Sequence, residues 1–308
     1  MEELTFRAMG CQISIFLDSD SSLAKQTLAQ VPIWFEEWEQ ILSRFRPDSE
    51  LSLLNHQSGI PTAVSDTLWE VLTLAIQTEM ESNGLVTPLV LPALEHAGYD
   101  RSFELIKGSD FSSAEYSGYP VGQLDELIFN LDLQMIQLPL GSGLDFGGIA
   151  KGWAAHQAAQ RLAAFAPALV NAGGDIAVTD SQHDDLLWTV GIINPFQAEQ
   201  DLALLEVGQC GIATSGVDFR QWHQNGVKRH HIIDPRTGLP AQTDLMSATV
   251  IAPDVMQAEM AAKVAMLMGS RAALEWFQDQ PWLQSILVLT NGQIAASQPI
   301  EPSLWRER

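Results

Sequence analysis

The sequence predicts an α+β fold with a largely antiparallel sheet. Strand-like and helix-like stretches alternate irregularly along it. "ALVNAGGDIAVTD", "LLWTVGIIN", "LALLEVG" and "GIATSG" read as successive strands, and "SILVLTNGQIAAS" reads as a hairpin turning on Asn-Gly. No internal repeat, low-complexity tract or linker is evident, so residues 1–308 read as one compact unit with two lobes.

Taken in order, "CQISIFLD" alternates like a strand, and residues 21–45 carry helical spacing interrupted by Pro32. "PDSELSLLNHQSG" is turn-rich. Residues 65–84 read as a helix capped by Ser65 and stopped by Gly84. Residues 85–130 mix Pro, Gly and Tyr and stay unassigned. "DLQMIQLPL" is a strand that runs into the turn "GSGLDFGG" and then the helix "IAKGWAAHQAAQRLAAF". "HHIIDPRTGLPA" reads as a strand with a Pro-Arg-Thr-Gly turn. "LMSATVIAP" is a strand feeding the apolar helix "MQAEMAAKVAMLMGS", and a short helix follows near residues 271–279.

Composition narrows the partners. A formal charge of −22 argues against nucleic acid and anionic membrane surfaces, whose phosphates it would repel. An anionic ligand would need local positive potential against that background. The two cysteines, Cys11 and Cys210, lie in strand-like runs without CxxC spacing, so a structural zinc site is not indicated and a reducing compartment fits. The first residues show neither a basic n-region nor an apolar h-region, which makes the cytoplasm the expected location.

Four stretches carry chemistry. "LDFGGIAKG" sets Gly147 and Gly148 where a turn meets a helix, with Lys151 in the first turn, an arrangement suited to a phosphate. It is neither a Walker A loop nor a GxGxxG fingerprint, and by itself it equally describes a helix entry with a solvated lysine. "NAGGDIAV" adds the pair Gly173 and Gly174 before Asp175 and reads as a strand bulge. "ATSG" offers two hydroxyls after a strand, and "HHIIDPRTG" crowds His231, Asp234, Arg236 and Thr237 into one turn.

Together with "RAMGCQISI", "SRFRPDSELSLLN" and "SATVIAPDVMQAEMAAKVAMLMG", these stretches resemble, in order, the landmarks of the ApbE family, the FAD:protein FMN transferases. The resemblance spans roughly residues 5–295. It implies a T-fold-like α+β architecture of two related lobes. It also implies cleavage of FAD and attachment of FMN by a phosphodiester to a Thr or Ser hydroxyl of an acceptor flavoprotein, with release of AMP. Carried over by position, Met9, Phe45, Asp145, Gly147, Lys151, Gly173, Gly174, Asp175 and Ile233 are the expected FAD-binding residues, and His231 is the expected catalytic group. An FAD pyrophosphatase and a non-catalytic FAD binder are the alternatives.

The apolar helix holds a departure. In the resemblance, magnesium is bound by Asp-x-x-x-Thr on this helix and by a carbonyl of the Gly-rich turn, here Gly148. This chain has Glu259 and Lys263 at the helix positions, and an ammonium has only donors. Three readings follow: an exposed i,i+4 ion pair, a lysine standing in for the metal, or a site that binds flavin without transferring it. Magnesium, if bound, is expected to bind weakly.

Overall fold

A computed structural model describes residues 1–111, 118–297 and 306–307. Part of the unassigned stretch 85–130, residues 112–117, lies outside these. The chain forms two compact units, one built from residues 1–35, 151–218 and 243–308, the other from 36–150 and 219–242.

The first unit is organised by an eight-stranded sheet whose strands lie side by side in chain order. They are Glu2–Ala8, Cys11–Leu17, Ala168–Ala172, Asp175–Val178, Cys210–Gly216, Leu245–Ala252, Gln284–Leu289 and Ile294–Ala296. Each neighbouring pair is antiparallel, as the α+β reading expects. A smaller sheet, with the hairpin Trp188–Asn194 and Gln197–Val207, packs Trp188, Val190, Ile192, Ala203, Leu205 and Val207 onto Leu169, Ile176, Val178, Ile212 and Ile286. The helix Val255–Met268 lies on the other face, against Cys210–Gly216 and Leu245–Ala252. Its alanines at 258, 261, 262 and 265 are buried, which lets its backbone approach the sheet closely. Asp254 caps it, accepting from the Gln257 amide at 2.9 Å.

The second unit holds the helices Glu50–His56, Asp66–Glu81 and Leu91–His96 with short sheets. Its core gathers Leu94, Ala97, Tyr99, Ile106, Trp222 and Ile233, and the Trp222 indole donates to the Ala97 carbonyl at 2.8 Å. Gln221–Gln224 pairs antiparallel with Val227–His230 and parallel with Asp110–Phe111.

Local chemistry accounts for the elements, including those the patterning misread. Ser65 caps Asp66–Glu81 as expected, accepting from the Leu68 amide, and Gly84, at φ +80°, turns the chain out of it. Pro32 does not interrupt a helix. It sits in the first turn of Val31–Leu42, where its missing N–H costs nothing, and the break falls just before, at Ala29 and Gln30. The turn-rich reading of 47–59 is corrected by the helix Glu50–His56: Ser49 accepts from the Ser52 amide at 3.0 Å, and Leu51 and Leu54 bury one face. Gly173 and Gly174 form no bulge. Ala172 pairs with Asp175, so the two glycines, at φ +67° and +101°, are a two-residue hairpin turn. "HHIIDPRTGLPA" has its Pro-Arg-Thr-Gly turn as expected, residues 235–238 closing the hairpin of Ile233–Asp234 with Leu239–Pro240, but the strand before it is interrupted at His231, where Val227–His230 has ended. Asp234 shapes the turn of that hairpin by accepting from both the Arg236 amide and its guanidinium.

Among the described residues no helix is long and apolar enough to cross a membrane. Cys11 and Cys210 are not joined in a disulfide, and burial pushes the Cys210 thiol up to about 12.

Candidate functional site

In the first unit, four separate pieces of chain meet at one end of the large sheet. Two hairpin turns lie side by side there. Met9 and Gly10, at φ +51° and +68°, join Ala8 to Cys11, and the Gly173 amide of the second turn donates to the Gln12 carbonyl at 3.1 Å. A Cβ on Gly173 would stand 2.7 Å from that of Cys11, so only glycine permits the contact. Directly after this turn Asp175 points into the protein, with a side chain 4% exposed.

Lys151 and Glu259 complete the cluster. The Lys151 ammonium contacts the Asp175 carboxylate and lies 3.4 Å from Glu259 Oε1, which also accepts from Lys263 Nζ at 3.0 Å. The Gly152 amide donates to Glu259 Oε2 at 3.2 Å. Two carboxylates and two ammonium groups therefore share one largely buried place. An exposed i,i+4 ion pair, one of the three readings of this helix, is excluded, because the Glu259 side chain is only 2% exposed.

Gly152 sets the distance between its helix and Val255–Met268. A Cβ there would lie 2.5 Å from Glu259 Oε2. Gly152→Ala is expected to lower unfolding stability by about 1–2 kcal/mol, overpacking outweighing the gain in helix propensity. Urea denaturation measures it, and unchanged stability would mean that the helices separate freely.

The charge states follow from burial and neighbours. Burial works against the Lys151 ammonium, but the charges of Asp175 and Glu259 outweigh it and raise its pKa. Asp175 is pushed up to about 6 by burial and by repulsion from Glu259, against the pull of Lys151 and Lys263. Burial also pushes Glu259 up, yet Lys263 and Lys151 more than offset this and hold it below its ordinary value.

The signs give a pH test. Asp175 binds its proton more tightly folded than unfolded, where 3.8 is ordinary, so it erodes stability as pH rises from about 4 to about 6. Glu259 has the opposite sign, and its contribution is lost as pH falls through its lowered pKa. Relative to the unsubstituted chain, Asp175→Asn is therefore expected to gain stability between pH 4 and pH 7. Unfolding midpoints across that range that shift in parallel would contradict it.

The second unit collects the other candidates around the Gly-rich turn. Asn55 pins this turn through both its amide groups, accepting from the Leu144 amide at 2.8 Å and donating to the Leu144 carbonyl at 2.9 Å. Asp145 accepts from Arg44 Nε at 2.5 Å and from the Gly147 amide at 2.8 Å, so the Gly147 N–H expected to face a phosphate is engaged by a carboxylate. The Arg44 guanidinium lies 4.1 Å from the Phe45 ring centre and 4.6 Å from that of Tyr99, and the rings continue to Trp222. Sequence reasoning missed Arg44, whose only local signal is its place beside Phe45. Ile233 is buried in the core. His231 is half-buried in the bend after Val227–His230. The neighbouring His230 is structural: Nδ1 accepts from the Ile232 amide, Nε2–H donates to the Ala241 carbonyl at 2.9 Å, and burial lowers its pKa. Thr214 of "ATSG" is likewise paired, 2.9 Å from Thr249 across the sheet.

Met9, Lys151, Gly173, Gly174, Asp175, Glu259 and Lys263 thus belong to the first unit, and Phe45, Asp145, Gly147, Gly148, His231 and Ile233 to the second. Comparison with known proteins gives this grouping its context. The family model described as "ApbE family" matches residues 9–287. The chain belongs to the ApbE family. An FAD:protein FMN transferase of Treponema pallidum is 30% identical, over 93% of this chain and 83% of the relative. One from Salmonella typhimurium is 26% identical, over 84% and 75% respectively. The flavin transferase ApbE from Vibrio cholerae superposes with a TM-score of 0.76 at 25% identity, covering 98% of each chain. The ApbE protein of Thermotoga maritima shares the fold, with a TM-score of 0.85 at 23% identity over 96% of this chain and 97% of that one.

In this ApbE-family chain the helix position that the resemblance gives to a metal ligand is engaged in hydrogen bonds. Glu259 Oε1 accepts from Lys263 and Lys151 and Oε2 from the Gly152 amide, Lys263 offers no lone pair, and the carboxylate of Asp175 faces Lys151. Among the described residues no group of three or more His, Cys, Asp or Glu is placed to hold a metal ion.

Proposed function

We propose that this chain is an FAD:protein FMN transferase that moves FMN from FAD onto a Thr or Ser hydroxyl of an acceptor flavoprotein. The observation that carries this reading is the family match across residues 9–287, within which Lys151, Asp175 and Glu259 form a buried charged cluster.

In this reaction the acceptor oxygen attacks the phosphorus of the FMN half. A new P–O bond forms, the P–O bond to the AMP half breaks, and AMP leaves with the electron pair. His231 takes the hydroxyl proton, a role worth about 10²–10⁴-fold for a nucleophile that is weak at neutral pH. Lys151 supports the phosphates as a point charge. It does so by sharing an ammonium already held by Asp175 and Glu259, which keep it protonated and fix its position before FAD arrives. The exposed ring of Phe45, braced by Arg44, offers a flat surface for a heteroaromatic ring. The location proposed with this activity is the cytoplasm, a reducing compartment of the kind that fits the cysteine usage.

The purified chain mixed with FAD and a threonine-bearing acceptor peptide tests the reading. Gain of an FMN mass by the peptide with release of AMP supports it. AMP without a modified peptide would make the chain an FAD pyrophosphatase, and bound but unchanged FAD would make it a binder.

A further inference from the structure

We propose that the Lys263 ammonium serves as a built-in cation at Glu259, so that this chain handles FAD without a divalent metal. The inference rests on the flavin-transfer reading above and concerns how that same site manages anionic charge.

The donor set leads to it. Magnesium requires near-octahedral coordination by hard oxygens. The carboxylate on this helix is that of Glu259, and both of its oxygens already accept hydrogen bonds, from Lys263 at 3.0 Å, Lys151 at 3.4 Å and the Gly152 amide at 3.2 Å. A divalent ion at Glu259 would have to displace two ammonium groups or sit against them, in a place where burial weakens screening. The charges of Asp175 and Glu259 are already balanced by those of Lys151 and Lys263.

The spacing makes the arrangement a property of the helix. Residues four apart share a face, so Lys263 reaches Glu259 without any rearrangement of the backbone. An ammonium offers a phosphate oxygen one full charge and up to three hydrogen bonds, but no inner-sphere bond. A Lys263 side chain 20% exposed is not sealed away as the Glu259 side chain is, at 2%. It can therefore keep one contact with Glu259 and offer its remaining donors to a ligand.

Two measurements on the full chain test this, and they fail separately. The first is magnesium calorimetry without flavin, which reads the metal site whether or not FAD is turned over. No saturable binding is expected of the unsubstituted chain, and Lys263→Thr is expected to gain at least ~10-fold in magnesium affinity. Tight stoichiometric binding by the unsubstituted chain would overturn the proposal. The second is flavin transfer with EDTA or with added magnesium, alongside FAD affinity from flavin fluorescence. Transfer by the unsubstituted chain should change less than about twofold between the two conditions. Lys263→Thr should lose about tenfold or more in EDTA and recover with magnesium, whereas Lys263→Arg, which keeps the charge, should retain metal-free transfer. If EDTA abolishes transfer while FAD still binds, the proposal is wrong. If Lys263→Thr, folded by circular dichroism, matches the unsubstituted chain in both conditions, Lys263 only neutralises Glu259 and the proposal is again wrong. A chain inert toward FAD throughout overturns the flavin-transfer reading itself.

Discussion

Lys151→Met is expected to lower unfolding stability by about 3–5 kcal/mol, the cost typical of removing one partner from a buried ion pair. Methionine preserves the length and much of the packing of the lysine stem, so the loss isolates the charge. Asp175 would then lose the ammonium it contacts, whereas Glu259 would keep Lys263 and the Gly152 amide. Against a typical domain stability of about 5–15 kcal/mol this is a large fraction. The double variant Lys151→Met with Asp175→Asn should recover a substantial part of the loss, since it removes the stranded carboxylate as well as the amine. Urea denaturation of the four members of this cycle gives the coupling energy directly. A single-variant loss below about 1 kcal/mol would mean that the cluster is well hydrated, and its proposed role as a preformed phosphate contact would fall with it.

His231→Asn is expected to reduce the rate of FMN transfer about 10²–10⁴-fold while FAD affinity stays within about twofold. The separation matters because a merely structural histidine would move both. His231 lies in a bend between two strands and not within one, so its substitution disturbs no sheet ladder. Single-turnover transfer to the acceptor peptide, read by mass spectrometry, measures the rate, and flavin fluorescence measures the affinity. Full activity in His231→Asn would remove it as the proton acceptor. Substitution of His230 should act differently, costing stability and not chemistry, since its ring links the Ile232 amide to the Ala241 carbonyl.

Much of the fold is legible in local pattern because its causes are local. The Ser65 cap, the Gly84 stop and the alternating strands each depend on residues within a few positions. The errors have the same origin. Ser49 and Asp48 look like turn residues, and only the burial of Leu51 and Leu54 shows that they open a helix. Gly173 and Gly174 look like a bulge until the pairing of Ala172 with Asp175 makes them a hairpin turn.

The amino-acid sequence alone determined the family, the α+β class and the position of each chemical group along the chain. It also placed Glu259 and Lys263 on one helix face, because i,i+4 spacing is a property of the helix itself. Only the tertiary structure decided what those groups do to one another. Lys151 meets a carboxylate 24 residues away and another 108 residues away, and Arg44 meets Asp145 across 101 residues. Burial then converts that meeting into chemistry: taken out of water, the four charges of the cluster answer to each other, which raises Asp175 and Lys151, lowers Glu259, and sets two ammonium groups against one oxygen of Glu259.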